Sequence, residues 1–197
     1  MSQSNLAESK KYYTVEEYLV FERESAEKHE YIDGEIIAMA GASREHNLIG
    51  TNTTVALATH LRGKGCEVYA NDMRVRMKGK GYGYPDVVVV CGEPEFADEE
   101  FDVLLNPMIV VEVLSPSTRF RDKTEKLETY QKMESIKECL LIEQTVMRVE
   151  HYLKQTPNQW LLRIYENVGD TVELESVGCE VLLADIYLQV KFDETLQ

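Results

Sequence analysis

The sequence predicts a mixed α/β fold: a sheet of parallel and antiparallel strands with helices packed on it. Two apolar runs, Val87–Val90 and Met108–Leu114, have the β-branched character of buried strands. Two longer segments, from Ser43 through His60 and from Arg121 to Met133, place apolar residues at helical spacing. Between and around them the order reads helix, strand, strand, strand, helix, strand, which a layered α/β domain accommodates. The chain has 197 residues, enough for one domain with its own core. We place that domain at residues 12–197, after a polar N-terminal arm at 1–11 that has no apolar signal core.

Each element has a local cause. Thr14 is a suitable N-cap for a first helix ending near Arg23, with Glu16 and Glu17 favourably placed in the first turn. Asp33-Gly34 is a hairpin signal between two short strands within Glu30–Ala40. Ser43 caps the second helix, whose stripe is Leu48, Ile49, Val55, Leu57 and Leu61, and Gly63 and Gly65 end it. Cys66–Met77 reads as one strand, Lys78–Tyr84 as a Gly-rich turn, and Cys91–Asn106 as an acidic solvated loop. After Pro116 comes the helix with Leu127, Tyr130 and Met133 on one face, and then a strand at Glu138–Glu143. Val146–Val190 reads as short strands turning at Thr156-Pro157-Asn158 and at Gly169-Asp170, so hairpins extend the sheet at both ends of the domain.

Composition narrows the function. No apolar run is long enough to cross a bilayer, and a cytoplasmic protein without membrane contact is expected. The four cysteines include no C-x-x-C pair, which argues against a zinc ribbon, and are read as reduced thiols. The net charge of −14 speaks against strong unaided binding to nucleic acid, since phosphate neutralisation supplies much of such affinity. A bound metal ion changes the local sign. Lys78-Gly79-Lys80-Gly81 is too sparse for a phosphate loop and reads as a hairpin tip.

Asp86 and Glu112 stand out by position. The first opens a buried strand directly after a proline, and the second interrupts another. A carboxylate in an apolar strand needs a compensating partner: a cation, a lysine, an arginine or backbone amides. If the two strands are neighbours, both acids point into one cleft, where oxygen ligands suit Mg²⁺ or Mn²⁺. A buried ion pair of Glu112 with Lys126 is the structural alternative.

These residues resemble the PD-(D/E)XK signature of metal-dependent nucleases. More specifically, the chain resembles the Uma-type restriction endonuclease family, many of whose members have no assigned function. The matching segments are Thr14-x-Glu16-Glu17-Tyr18-Leu19, Glu30 to Ile36, Ser43-x-x-His46, Pro85-Asp86-Val87, Val111 to Ser117, and Asp122-x-x-x-Lys126-x-x-x-Tyr130. The resemblance implies a restriction-endonuclease-like core and a DNA substrate. Asp86, Glu112 and the backbone carbonyl of Val113 would hold Mg²⁺ or Mn²⁺. The motif lysine, expected two residues after the glutamate, is Leu114 here, and the resemblance moves its role to Lys126 on the following helix. His46 is then a further ligand or proton carrier, and Glu30 a weaker metal-ligand candidate. The competing expectation keeps the fold but makes the acids and Lys126 a structural cluster in a partner-binding module. A homodimer formed through the outer strands of Val146–Tyr165 is compatible with either, because edge strands need covering.

Overall fold

A computed structural model describes residues 12–79 and 81–192, so the 1–11 arm and Lys80 lie outside the described residues. Helix α1 (Val15–Glu24) starts as the sequence predicts. Thr14 accepts the Glu17 N–H, and the Glu17 side chain accepts the Thr14 N–H at 2.8 Å, closing a capping box. Strands β1 (His29–Ile32) and β2 (Glu35–Ala38) form the hairpin over Asp33-Gly34, both with positive φ. Helix α2 (Arg44–Leu61) is capped by Ser43, whose hydroxyl accepts the His46 N–H.

The segment expected to be one strand breaks in two. Strand β3 (Cys66–Ala70) and strand β4 (Arg74–Met77) enter different sheets. The break is at Asn71, which sits in the left-handed region at φ 52° and donates its N–H to the Asp86 carbonyl. The Gly-rich turn also contains a strand, β5 (Gly81–Gly83), between β1 and β4. Glycine is needed there for packing: a Cβ on Gly81 would meet Met77 at 3.1 Å, and one on Gly83 would meet Glu30 at 3.3 Å.

Strand β6 (Val87–Cys91) precedes the acidic loop, which ends in a short strand, β7 (Val103–Leu104), parallel to β4. Strand β8 (Ile109–Leu114) is buried throughout. The predicted helix after it has three parts: α3 (Arg119–Arg121), a π-helical turn at Asp122–Lys126, and α4 (Leu127–Gln131). Then come β9 (Glu138–Glu143), the long hairpin β10 (Val149–Thr156) and β11 (Gln159–Tyr165), a second hairpin β12 (Thr171–Leu174) and β13 (Cys179–Leu182), and a short α5 (Leu183–Ile186) that the sequence reading did not include.

The central sheet has six strands in the order β11-β10-β9-β8-β6-β3, with β8 and β9 parallel and the other pairs antiparallel. A second sheet has the order β2-β1-β5-β4-β7. Strand alternation divides the central sheet's side chains between two cores. On one side, Val87, Val89, Ile109, Val111 and Val113 pack with Ile49, Leu57 and Leu61 of α2 and with β12–β13. On the other, Val88, Val90, Val110 and Leu114 pack with Leu127 and Tyr130 of α4 and with Val75 and Met77 of the second sheet. A third cluster of Tyr18, Tyr31, Tyr82 and Val103 joins α1 to that sheet.

The structure corrects the reading of the cysteines as reduced thiols. Cys66 and Cys91 are register partners on β3 and β6 and are joined as a disulfide, while Cys139 and Cys179 are free and buried. Their separation of 25 residues carried no hint of the pairing, which strand register alone creates. Among the described residues no helix is long and apolar enough to cross a membrane.

Candidate functional site

The two acids meet through register. Val87 pairs with Val111 across β6 and β8, so one further step sets Asp86 opposite Glu112. By alternation both belong to the side that carries Val88, Val110 and α4. Asp86, at the strand end, accepts the Val113 N–H at 2.6 Å. An N–H and C=O of one strand residue face the same neighbour, so the Val113 carbonyl lies on the Asp86 side of β8 as well.

Lys126 reaches this spot from above. Its Nζ lies 2.7 Å from Glu112, 3.0 Å from Glu30 and 3.4 Å from Asp122. The π turn is the device that aims it. One extra residue per turn rotates Asp122 and Lys126 together onto the sheet face, and such turns recur at functional sites. Tyr130, one turn on, donates its hydroxyl to Glu112 Oε1 at 2.7 Å. Glu30 arrives from β1 of the second sheet and also pairs with Arg121 at 2.9 Å. His46, in the first turn of α2, brings Nε2 to 3.5 Å from Asp86 Oδ2.

All the sequence-selected residues, Glu30, His46, Asp86, Glu112, Val113 and Lys126, are thus gathered at one end of β6 and β8. The sequence reading missed Asp122 as a member, because a carboxylate four residues before a lysine looks like a surface helix pair. It also placed Tyr130 only on the apolar face of a helix, whereas its buried hydroxyl rests on Glu112. The spacing of Asp122, Lys126 and Tyr130 was the available signal.

Burial sets the electrostatics. It pushes the Glu112 carboxyl up to about 8, against the pull of Lys126. Burial likewise raises Asp86, although His46 and the Val113 amide oppose it. For Lys126 burial disfavours the ammonium, but the surrounding carboxylates, Glu112 foremost, outweigh it and hold the pKa well above the ordinary lysine value. Four carboxylates, Glu30, Asp86, Glu112 and Asp122, face two permanent cations, Lys126 and Arg121. Fully ionised, the cluster therefore carries two uncompensated negative charges, the charge that one divalent cation would neutralise.

The oxygen-only donor set suits Mg²⁺ or Mn²⁺, which need only one or two carboxylates because they retain waters. As arranged, no group of three His, Cys, Asp or Glu side chains could hold a metal among the described residues. Lys126 bridges three of the four carboxylates instead. Access is from the Asp86–His46 side, where the side chains are 15 % and 18 % exposed, against 5 % for both Glu112 and Lys126. A recess beside Lys126, lined by Ile32, Met77, Gly81 and Thr129, holds only about 70 Å³, too little for a nucleotide.

The geometry defines the class: an α/β protein with a buried carboxylate–lysine cluster at the end of two adjacent sheet strands. The chain belongs to the Uma2 family, described as "putative restriction endonuclease", whose model matches residues 15–184. Two uncharacterised proteins of the cyanobacterium Synechocystis are similar to it. One is 40 % identical over 166 residues, covering 84 % of this chain and 93 % of that protein. The other is 34 % identical over 178 residues, covering 90 % and 92 %. The crystal structure of a "putative nuclease" from Anabaena variabilis shares the fold, with a TM-score of 0.71 at 18 % identity over 89 % of this chain and 97 % of that one.

Proposed function

We propose that this protein is a homodimeric, Mg²⁺- or Mn²⁺-dependent endonuclease that hydrolyses phosphodiester bonds in DNA. The observation that supports it best is the pairing of Asp86 and Glu112 across adjacent strands, with Lys126 delivered to the same point from a helix. A divalent ion held by Asp86, Glu112 and the Val113 carbonyl would supply Lewis acidity and a water of lowered pKa.

The chain's own residues do the rest. Tyr130 and Lys126 both engage Glu112 Oε1, which fixes the carboxylate, and Glu112 would offer its other oxygen to the ion. Lys126, held by Glu30 and Asp122, places a positive charge where a phosphorane gathers negative charge, and it orients the attacking water. His46, beside Asp86 at the more open side, is placed to pass a proton to the leaving oxygen. Arg121 fixes Glu30, so that Glu30 steers Lys126, and Glu30 would become a further oxygen ligand only by giving up one of these two cations.

The test is nicking of supercoiled plasmid with Mg²⁺ and with Mn²⁺, comparing the wild type with Asp86→Ala and Glu112→Ala. Cleavage that needs metal and disappears in both variants supports the reading. Equal cleavage in all three proteins rejects the assignment.

A second reading keeps the cluster as a structural ion network in a partner-binding module. It is favoured by Lys126 already bridging Glu112, Glu30 and Asp122 and by the net charge of −14. It predicts no saturable Mn²⁺ uptake in calorimetry, whereas the nuclease reading requires it.

A further inference from the structure

Strand β11 ends the six-stranded sheet, and its outer edge pairs with nothing among the described residues. A regular seven-residue edge with apolar side chains invites another strand, and proteins normally blunt or cover such edges. Here Leu161, Leu162 and Ile164 are 40 %, 43 % and 47 % exposed. The opposite edge strand, β3, is shorter and packs against α2.

The hydrogen-bond phase of this edge can be worked out. The Lys154 N–H donates to the Lys137 carbonyl at 2.9 Å, and the Glu143 N–H to the Arg148 carbonyl at 3.0 Å, so the even-numbered residues of β10 face β9. The odd-numbered residues Val149, His151 and Leu153 then face β11, and their partners Tyr165, Arg163 and Leu161 face back. That leaves the N–H and C=O groups of Trp160, Leu162 and Ile164 directed outward.

These three residues are symmetric about Leu162, the middle residue of the strand. We propose that this edge pairs with β11 of a second copy of the chain, antiparallel, on a two-fold axis through Leu162. This deepens the homodimer reading by assigning its interface and register, and it does not depend on nuclease activity. In that register Leu162 faces the partner's Leu162 and Trp160 faces the partner's Ile164. All six outward groups on each copy are satisfied, giving six inter-chain hydrogen bonds. Trp160, Leu162 and Ile164 share one sheet face, so the two stripes merge into a single apolar patch.

Charge favours a second copy at this place. In a chain of net charge −14, Gln159–Tyr165 has no carboxylate, and its single charge, Arg163, is held by Glu175 at 2.6 Å. Two copies can therefore meet here without the repulsion they would suffer elsewhere on an acidic surface. The flanking β10 acid, Glu150 beside Ile164, is already neutralised by Lys123 at 2.7 Å and Arg148 at 3.1 Å, so it adds no repulsion. An isologous contact also closes at two copies rather than growing into a filament. A single strand edge is a smaller contact than the roughly 1,200 Å² from which standard specific interfaces begin, so a weak, concentration-dependent dimer is expected.

Site-directed crosslinking and sedimentation velocity of the full chain test the register. Leu162→Cys places two thiols on the axis in a hydrogen-bonded pair, about 5.5 Å apart between Cα atoms and within disulfide reach. Mild oxidation should link it as a dimer, while Leu161→Cys, whose two copies lie off the axis, should stay uncrosslinked. Leu162→Glu sets like charges directly opposite each other and should raise the dimer dissociation constant at least about tenfold. Its circular dichroism, and its thermal midpoint at a dilution where both proteins are monomeric, should remain those of the wild type, because the side chain is exposed in the single chain. A wild type that stays monomeric at about 100 µM, equal crosslinking of both cysteine variants, or a dimer unaffected by Leu162→Glu would each overturn the proposal.

Discussion

Replacing Lys126 with methionine removes the ammonium and keeps most of the side-chain volume, which isolates the electrostatic part of its role. In the native protein that ammonium lies within 3.4 Å of three carboxylates whose side chains are no more than 6 % exposed. Removing one partner of a buried ion pair typically costs about 3–5 kcal/mol, because the other charge is left without compensation. We expect Lys126→Met to lose stability in that range in urea unfolding at pH 8 without metal, a large share of a domain's total. Two conditions should shrink the loss. At pH 5 the Glu112 carboxyl, with its pKa of about 8, is neutral, and less charge needs compensating. The double variant Glu112→Gln/Lys126→Met should be more stable than Lys126→Met alone, because the acid that depended most on the lysine is gone. A loss below about 1 kcal/mol at pH 8, or a double variant no more stable than Lys126→Met, would refute the claim that Lys126 compensates the buried acids.

Further expectations follow from the same cluster and from the disulfide. Glu112 has its carboxyl raised from 4.5 to about 8, so its contribution to metal-free stability is full below pH 4.5 and is lost as the pH climbs through 8. Metal must displace that proton, so Mn²⁺ affinity should rise with pH up to about 8, with close to one proton released at pH 7. Calorimetry in buffers of different ionisation enthalpy measures the release. Tyr130→Phe removes the hydroxyl donated to Glu112 and should cost about 1.5 kcal/mol, raising the Glu112 titration further. Carboxyl-carbon NMR reads the shift, and an unchanged titration would show that the hydroxyl does not hold the acid. Opening the Cys66–Cys91 bond frees a loop spanning 25 residues and should cost about 3 kcal/mol, measured by unfolding with and without reductant.

Much of the local structure was legible in the chain. Thr14, Asp33-Gly34 and Ser43 act through nearest neighbours, so the caps and the hairpin turn form where their chemistry predicts. The buried strands β6 and β8 follow from β-branched runs for the same reason. The strand break at Asn71 and the strand at Gly81–Gly83 were not legible. The first depends on a bond to the Asp86 carbonyl, and the second on room for Met77 and Glu30 against glycine.

The sequence by itself determined that two acids would sit in apolar strands and need compensation, because burying a charge is costly in any fold. Only the tertiary structure decided what compensates them. Antiparallel register set Asp86 against Glu112, a π turn brought Asp122 inward with Lys126, and a second sheet supplied Glu30. Those partners lie from 10 (Asp122) to 82 (Glu30) residues from Glu112 along the chain. Short-range patterns report what a residue prefers for its surroundings, whereas strand pairing and helix docking determine which surroundings it receives.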